Sequence, residues 1–265
     1  MNKINVVYTV DIQGPGSFQF MDQLIVSIKS IKFSKSEDED ISVYVLYGNI
    51  STDFALSLTN LSTDGFKVIL KPIGRDTLGL LQQFTKQSPM SQGRSWSGIV
   101  FARLYIPLIV PEIDKALYID SDTLIRSPLS ELYSFDLKDK MLGMVMGIVP
   151  EYGYNSGVIL MDCKKIRETE NLYRDLESHM KQFARTYKLP DQTVINRFFG
   201  NNLSQIETIP GIEWNYPPMP REIGSDRKMM MEKAKIWHFY NQFAKPIRYD
   251  DQDLARFEWQ KILEK

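Results

Sequence analysis

Hydrophobic runs of strand length alternate with amphipathic stretches over the first part of the chain. Three such runs predict buried strands, at residues 4–10, 41–46 and 66–70. Apolar residues at helical spacing predict an amphipathic helix, at Phe20, Leu24, Ile28 and Ile31. A second helix is predicted at residues 53–61. Strands that alternate with helices favour a mainly parallel central sheet with helices on both faces, so the predicted fold class is α/β.

The rest of the chain predicts further strands and helices, separated by two irregular stretches. The strands are predicted at residues 116–119, 141–147, 156–161 and 235–239. The helices are predicted at residues 98–109, 163–186, 191–199 and 251–263. Residues 72–97 have weak periodicity, which fits either a loop over a ligand site or a surface connection. Residues 210–235 are rich in Pro and are predicted to be irregular.

Two carboxylates, Asp120 and Asp122, follow the apolar run at residues 116–119. Alternate residues of an extended backbone share one face, so both side chains can reach one cation. Oxygen ligands that leave other coordination positions open suit Mg²⁺ or Mn²⁺. Asp-x-Asp is also common at helix N-caps and Asx turns, which is the structural alternative. Asp11 ends the first strand, and the carboxyl ends of parallel strands share an edge, so it is predicted to face the same crevice.

Two short polar motifs further along the chain have both a structural and a functional interpretation. Asn155 offers a donor and an acceptor to a hydroxylated ligand, and Gly157 permits close approach of the backbone. Asn-Ser-Gly is, however, also a common turn. Asp191 is a good N-cap for the helix after it, and together with Gln192 it can also bind the hydroxyls of a sugar.

The chain has two histidines. His179 lies in a polar helical stretch and is predicted to be solvated. His238 lies in an apolar strand, where a histidine is either a hydrogen-bonded core residue or a third metal ligand. An imidazole beside two carboxylates shifts the preferred ion from Mg²⁺ toward Mn²⁺. Lys245 follows seven residues later and can neutralise phosphate charge.

Composition narrows the function classes. The 265 residues can bury a substantial core, and a net charge of −1 argues against a nucleic-acid-binding protein. A single cysteine, Cys163, excludes an internal disulfide framework and fits a reducing compartment. The sequence opens without a signal-peptide pattern and has no run of about 18 apolar residues. These features predict a cytoplasmic protein and leave open peripheral contact with the inner face of a membrane.

These motifs, taken in chain order, resemble family 8 of the glycosyltransferases, the family of glycogenin and the bacterial lipopolysaccharide galactosyl- and glucosyltransferases. The resemblance extends from Ile4 to about Lys245 and rests on Asp11, Phe101-Ala102-Arg103-Leu104, Leu117-Tyr118-Ile119-Asp120-Ser121-Asp122, Asn155-Ser156-Gly157-Val158, Asp191-Gln192, His238-Phe239 and Lys245-Pro246. It implies a nucleotide-sugar fold of the GT-A type, a UDP-sugar donor of glucose or galactose, and Mn²⁺. It further implies a glycan, glycoprotein or lipid-linked saccharide as acceptor, with retention of anomeric configuration.

The resemblance also implies residue roles. It assigns the uridine to the end of the first strand, at Tyr8, Thr9, Val10 and Asp11. It assigns the metal to Asp120, Asp122 and His238. Arg103 would contact the nucleotide or donor sugar, Ser121 the ribose, and Lys245 the diphosphate. Asn155 and Asp191 would bind donor-sugar hydroxyls, and Gln192 would lie near the anomeric carbon.

The chain departs from the family pattern at three places. Gly14 stands where an aromatic residue commonly covers the base. The motif His-x-x-Gly-x-x-Lys-Pro-Trp becomes the longer stretch from His238 to Ile247, which lacks the glycine and the Trp. The basic, aromatic membrane-anchoring tail of some bacterial members is absent or truncated. We predict one domain over residues 1–265, with a nucleotide-binding half (1–125), a donor-sugar and acceptor half (126–250) and a C-terminal helix (251–265).

The chemistry of the predicted site favours direct transfer. An amide such as that of Gln192 is a poor nucleophile, so same-face attack by the acceptor hydroxyl is preferred to a covalent intermediate, with Asp191 as nucleophile the alternative. The acceptor pocket is predicted within residues 210–230. Two rival classes stay open. A sugar nucleotidyltransferase would need basic residues that 11–20 lack. A non-catalytic binding protein would keep only the fold.

Overall fold

The computed structural model describes residues 2–12, 18–87, 98–183, 190–218, 225–240 and 254–264. Its strands are β1 (Asn2–Val10), β2 (Glu39–Tyr47), β3 (Phe66–Pro72), β4 (Lys115–Ile119), β5 (Thr123–Ile125), β6 (Leu142–Met146), β7 (Tyr154–Asp162), β8 (Ile206–Thr208) and β9 (Ile236–His238). Its α-helices are α1 (Phe18–Ser34), α2 (Thr52–Thr59), α3 (Arg75–Gln87), α4 (Ile106–Ile109), α5 (Ser130–Tyr133), α6 (Cys163–Glu168), α7 (Leu172–Phe183), α8 (Pro190–Val194), α9 (Ser225–Lys233) and α10 (Leu254–Leu263). A 3₁₀ helix at Gly98–Tyr105 precedes α4, and a π-helical segment at Ile195–Asn202 continues α8.

Seven strands form the central sheet, in the order β3-β2-β1-β4-β7-β6-β8. The first four strands of that order run parallel. β7 runs antiparallel to its neighbours β4 and β6, and β8 runs parallel to β6. Because β7 is antiparallel, its amino end lies beside the carboxyl end of β4, with Ile119 opposite Val158. β5 and β9 form a separate antiparallel ribbon in which Thr123 faces His238.

Both faces of the sheet are buried, because successive side chains of each strand point to opposite sides. Val7 packs on one face with residues of α3, α6 and α7, whereas Val6 and Tyr8 pack on the other face with residues of α1 and α2. The mainly parallel sheet with helices on both faces confirms the predicted α/β class. The parallel order brings the ends of β1 and β4 to one edge, next to the start of β7.

The structure differs from the sequence prediction where the pattern was short or interrupted. The weakly periodic stretch contains a regular helix, α3, because Leu81 and Phe84 supply a buried face at helical spacing. Helix α9 likewise lies in the stretch predicted to be irregular. The strands β5 and β8 were not predicted, since three residues are too few to show a period.

Two predicted environments are wrong. The helical spacing predicts that Phe20 lies on the buried face of α1, but Phe20 is 60% exposed, while Leu24, Ile28 and Ile31 are buried as predicted. His179 was predicted to be solvated, yet it is buried, and its ring packs against Phe183 and Phe198. The polar residues of α7 therefore form only the outer face of a strongly amphipathic helix.

Among the described helices, none combines the length and the apolar composition needed to cross a bilayer.

Candidate active site

Three predicted metal ligands converge at the carboxyl edge of the sheet. Asp120 follows β4, Asp122 precedes β5, and His238 ends β9. One ligand atom of each residue lies within 4.8 Å of the others. The Nε2 atom of His238 is 3.2 Å from Asp122 Oδ1 and 3.4 Å from Asp120 Oδ2. The carboxylates are partly exposed and the histidine is almost fully buried, so an ion would reach the cluster from the carboxylate side.

The backbone that carries the two carboxylates is a turn and not the extended strand assumed from their spacing. The amide of Asp120 donates to the carbonyl of Gly157 at 2.8 Å, and the amide of Phe239 donates to the carbonyl of Asp122 at 2.8 Å. The hydroxyl of Thr123 donates to the carbonyl of Asp120 at 2.9 Å, which closes the turn. The carboxylates therefore converge because the ribbon β5–β9 folds the chain back toward His238.

The hydrogen bonds of Asn215 make Nδ1 of His238 a donor. Asn215 Nδ2 donates to Asn155 Oδ1 at 3.0 Å, so its Oδ1 accepts from His238 Nδ1 at 2.8 Å. With Nδ1 as the donor, Nε2 faces the two carboxylates, and it offers a lone pair to a cation when the ring is neutral. This buried atom makes no hydrogen bond within the part of the chain that the structure describes. An unsatisfied imidazole nitrogen between two carboxylates fits a divalent cation.

The charges around His238 favour the protonated ring as long as no cation is bound. Burial alone would lower the pKa of His238, but the neighbouring Asp122 and Asp120 raise it to about 9. Burial alone would raise the pKa of Asp120, but the positive charges of Arg103 and His238 hold that pKa below its ordinary value. A proton and a metal ion would compete for the same Nε2 lone pair.

Gly157 makes room for the His238 ring. A Cβ atom at this position would lie 2.7 Å from Nε2 and 2.5 Å from Nδ1, and still closer to Cε1. Since real Cβ contacts of that length essentially do not occur, only glycine permits this packing. The close approach expected at Gly157 is thus made to a protein side chain, the imidazole itself.

Arg103 links the metal cluster to the candidate donor-sugar residues. Its guanidinium lies 3.0 Å from Asp120 Oδ1 and 3.1 Å from Asp191 Oδ2, and it donates to the carbonyl of Ser156 at 2.8 Å. It also stacks on the ring of Tyr118, with Cζ 4.5 Å from the centroid. Burial alone would lower the pKa of Arg103, but the two carboxylates raise it above its ordinary value. One buried cation thus holds two acidic side chains from different elements.

The predicted sugar-binding residues lie side by side. Ser156 Oγ donates to Asp191 Oδ2 at 2.8 Å, and Asn155 Nδ2 lies 3.5 Å from Gln192 Oε1. Gln192 also donates to the carbonyl of Tyr152 at 3.2 Å. The start of β7 and the start of α8 therefore form one polar surface, which Arg103 joins to the metal cluster.

The predicted uridine contacts need one correction. Tyr8 is fully buried, and its hydroxyl bonds Ser27 at 2.7 Å, so its side chain belongs to the core and only its main chain remains available to a ligand. Thr9 and Val10 complete β1, with Val10 buried in the core. Asp11 lies beyond the strand end, where its Oδ1 accepts from Asn49 at 3.3 Å. Ser121 occupies the turn between the two carboxylates.

Two sequence departures and one predicted residue lie outside the described residues. These are Gly14, the stretch 241–247 and Lys245.

Sequence reasoning missed three residues of the site: Asn215, Tyr118 and the side chain of Ser156. The hydroxyl of Tyr118 donates to Asp120 Oδ1 at 2.5 Å. Asn215 is almost fully buried and stands between two aromatic residues in the sequence. A polar residue between aromatic neighbours was the one sequence feature that could have indicated a role in the site. Its partner His238 is 23 positions away, however, so spacing could not identify the contact.

Comparison with known proteins now identifies the class. The sequence profile described as Glycosyl transferase family 8 matches residues 15–250, so the chain belongs to glycosyltransferase family 8. A "Putative glycosyltransferase" of Haemophilus influenzae is 25% identical over 249 residues, which cover 88% of this chain and 69% of that protein. Glucoside xylosyltransferase 1 of Gallus gallus is 28% identical over 163 residues, 50% of this chain and 37% of that protein. The match thus spans well under half of the chicken relative.

A solved structure shares the fold. The galactosyltransferase LgtC, in complex with donor and acceptor sugar analogs, superposes with a TM-score of 0.75 at 20% identity. The superposition covers 98% of this chain and 95% of that one. It confirms the predicted GT-A fold, and the chain is a glycosyltransferase by family.

Proposed function

We propose that this glycosyltransferase moves a hexose, glucose or galactose, from a UDP-sugar to a glycan, glycoprotein or lipid-linked saccharide. The observation that carries the proposal is the convergence of the Asp120 and Asp122 carboxylates on the buried Nε2 atom of His238. These three residues would hold a divalent cation, with Mn²⁺ preferred to Mg²⁺ because one ligand is an imidazole. A bound cation would supply Lewis-acid stabilisation of the charge that develops on the leaving diphosphate.

The surrounding residues would bind and orient the donor. Asp11 and the main chain at Tyr8, Thr9 and Val10 would meet the uridine, and Ser121 the ribose. Asn155 and Gln192 have amide groups next to each other and would bind sugar hydroxyls. We keep Lys245 as the proposed diphosphate contact on the strength of the family resemblance.

The environment of Asp191 supports direct, retaining transfer in preference to a covalent intermediate. Its Oδ2 atom accepts from Ser156 and is paired with Arg103. A carboxylate whose charge is neutralised in this way is a weak nucleophile. In the proposed reaction the acceptor hydroxyl forms the new bond to the anomeric carbon on the face that the diphosphate leaves. Its proton passes to the departing phosphate oxygen, while Asp191 and Arg103 orient the sugar.

A hydrolysis panel tests the proposal without knowledge of the acceptor. Purified protein is incubated with UDP-glucose, UDP-galactose and UDP-xylose, with Mn²⁺, with Mg²⁺ or with EDTA, and free UDP is measured. We expect UDP to be released from a UDP-hexose only when the cation is present. The sugar released first should have the anomeric configuration of the donor. Preference for UDP-xylose would overturn the hexose assignment, and release that EDTA leaves unchanged would overturn the metal site.

Asp122→Asn tests the site itself. Loss of one charged ligand should lower kcat/KM by about 100-fold or more, since the cation would be bound by fewer and weaker donors. Asp64→Asn changes an exposed aspartate between α2 and β3 in the same way and should leave the rate unchanged. Equal rates for the two variants would remove the proposed role of the cluster. Cation binding without turnover of any sugar nucleotide would favour the non-catalytic alternative.

A further inference from the structure

Four buried hydroxyl side chains lie behind the metal-binding turn. They come from β1, α1 and β5, and we call them the hydroxyl cluster: Tyr8, Ser27, Ser30 and Thr123. Tyr8 Oη is 2.7 Å from Ser27 Oγ, which is 2.7 Å from Thr123 Oγ1. None of the four residues is more than 1% exposed. The cluster thus connects the middle of α1 with the residue that follows Asp122.

The hydrogen bonds from Tyr8 through Ser27 to Thr123 can run in only one direction. Each hydroxyl has one proton, and the Asp120 carbonyl can only accept, so Thr123 uses its proton on that carbonyl at 2.9 Å. Ser27 must therefore donate to Thr123, and Tyr8 must donate to Ser27. Burial raises the pKa of Tyr8, so the first donor of the series keeps its proton. The chain of hydroxyls ends on the main chain of a proposed metal ligand.

Ser30 holds the same strand two residues further on. Its Oγ accepts from the amide of Ile125 at 2.9 Å and donates to the carbonyl of Ser27 at 2.6 Å. Ser27 and Ser30 are three residues apart and so share one face of the helix. They bind alternate residues of β5, which also lie on one face of that strand.

The composition of this face argues for a role beyond packing. The remaining buried positions of α1 include Leu24, Ile28 and Ile31, which pack without any polar partner. A buried hydroxyl costs free energy unless it is hydrogen-bonded, and an apolar side chain of similar size usually does as well. Ser27 and Ser30 therefore fix the orientation of β5 relative to α1 through hydrogen bonds, whereas apolar residues would add only contact area.

We propose that Thr123 and Ser27 are positioning residues, which hold the Asp120–Asp122 turn in its metal-binding geometry through the Asp120 carbonyl. This inference rests on the proposed metal site. The turn has two further main-chain attachments, at the Asp120 amide and the Asp122 carbonyl. The Thr123 hydroxyl supplies the attachment between them, and Tyr8 and Ser27 orient it.

Thr123→Val tests the inference, since valine has nearly the shape of threonine but no hydroxyl. Mn²⁺ binding is measured by electron paramagnetic resonance titration of the full chain, together with the melting temperature of the metal-free protein. We expect Mn²⁺ binding about fivefold weaker in Thr123→Val, the effect of one lost hydrogen bond. Thr123→Ser keeps the hydroxyl and should restore the wild-type dissociation constant.

Thr85→Val is the matched control. Thr85 is buried in α3, and its hydroxyl donates to the carbonyl of Leu81 in the same helix. The same substitution there should leave Mn²⁺ binding unchanged even if it alters the melting temperature. A purely structural role for Thr123 would instead give both variants the same Mn²⁺ affinity at similar stability, and that result would overturn the inference.

Ser27→Ala keeps the inference testable if Thr123→Val does not fold. It removes the donor that orients the Thr123 hydroxyl, so we expect weaker Mn²⁺ binding by about twofold. Unchanged binding in this variant would also count against the inference. Absence of Mn²⁺ binding in the wild-type protein is a different outcome, because it would overturn the proposed metal site itself.

Discussion

The substitution Gly157→Ala should separate metal binding from folding. The added Cβ atom would lie 2.7 Å from His238 Nε2 and 2.5 Å from Nδ1, whereas ordinary van der Waals contact begins near 3.4 Å. The ring cannot move away freely, because it is buried and bound to Asn215. The imidazole or the backbone of β7 must therefore shift by about 1 Å to accept a single methyl group.

That displacement is large on the scale of metal coordination. Ligand distances at a working metal site vary by only about 0.2 Å, so a 1 Å shift takes Nε2 out of bonding distance. We expect Mn²⁺ affinity to fall by about 100-fold, as after loss of a ligand. Overpacking of a buried position costs about 1–3 kcal/mol of folding free energy, which a domain of this size should tolerate.

Mn²⁺ titration and urea unfolding of the variant provide the two readouts. Gly79→Ala is the matched control, since a Cβ atom at that position in α3 meets nothing within 4 Å. Alanine in a helix interior should raise stability by up to about 1 kcal/mol and leave Mn²⁺ binding unchanged. Wild-type Mn²⁺ affinity in Gly157→Ala would refute the role assigned to the close contact between Gly157 and His238.

Three further predictions concern Asn215, Arg103 and Cys163. Asn215→Leu leaves His238 Nδ1 without its acceptor, so Mn²⁺ titration should show binding weaker by about 10- to 100-fold; Asn215→Asp, which keeps an acceptor, should retain more affinity than Asn215→Leu. Arg103→Met leaves two carboxylates without their cation, so urea unfolding should show a loss of about 3 kcal/mol or more; a loss below about 1 kcal/mol would contradict the bridging role. Burial raises the pKa of the Cys163 thiol to about 12, so the native protein at about pH 8 should resist thiol reagents until urea unfolds it. Rapid labelling of the native protein would contradict this prediction and show that the residue is accessible.

The sheet could be predicted from the sequence because its strands are long or bounded by clear turns. The runs at residues 4–10 and 41–46 are mostly apolar, as buried parallel strands are. Helix α3 escaped prediction because Gly74 and Gly79 weakened its pattern, although Leu81 and Phe84 were correctly spaced. Short elements such as β5 exist only because β9 pairs with them, and pairing between distant segments leaves no local period.

The candidate site was predictable as a set of residues but not as an arrangement. Spacing identified Asp120 and Asp122, while the turn between them depends on a hydroxyl contact from Thr123. The position of Tyr8 on the core face of β1 follows from strand register, which its motif does not specify. The bond between Asn215 and His238 joins a bend to the end of β9 through tertiary folding alone.

The bridging position of Arg103 has a consequence for the order in which ligands can enter. The site contains three carboxylates and one guanidinium: Asp120 and Asp191 pair with Arg103, and Asp122 lies next to His238. These groups sum to a formal charge of −2 when the imidazole is neutral. A divalent ion cancels that excess, whereas a diphosphate arriving alone would meet electrostatic repulsion. Electroneutrality therefore favours an order of binding in which the ion binds before the nucleotide or together with it.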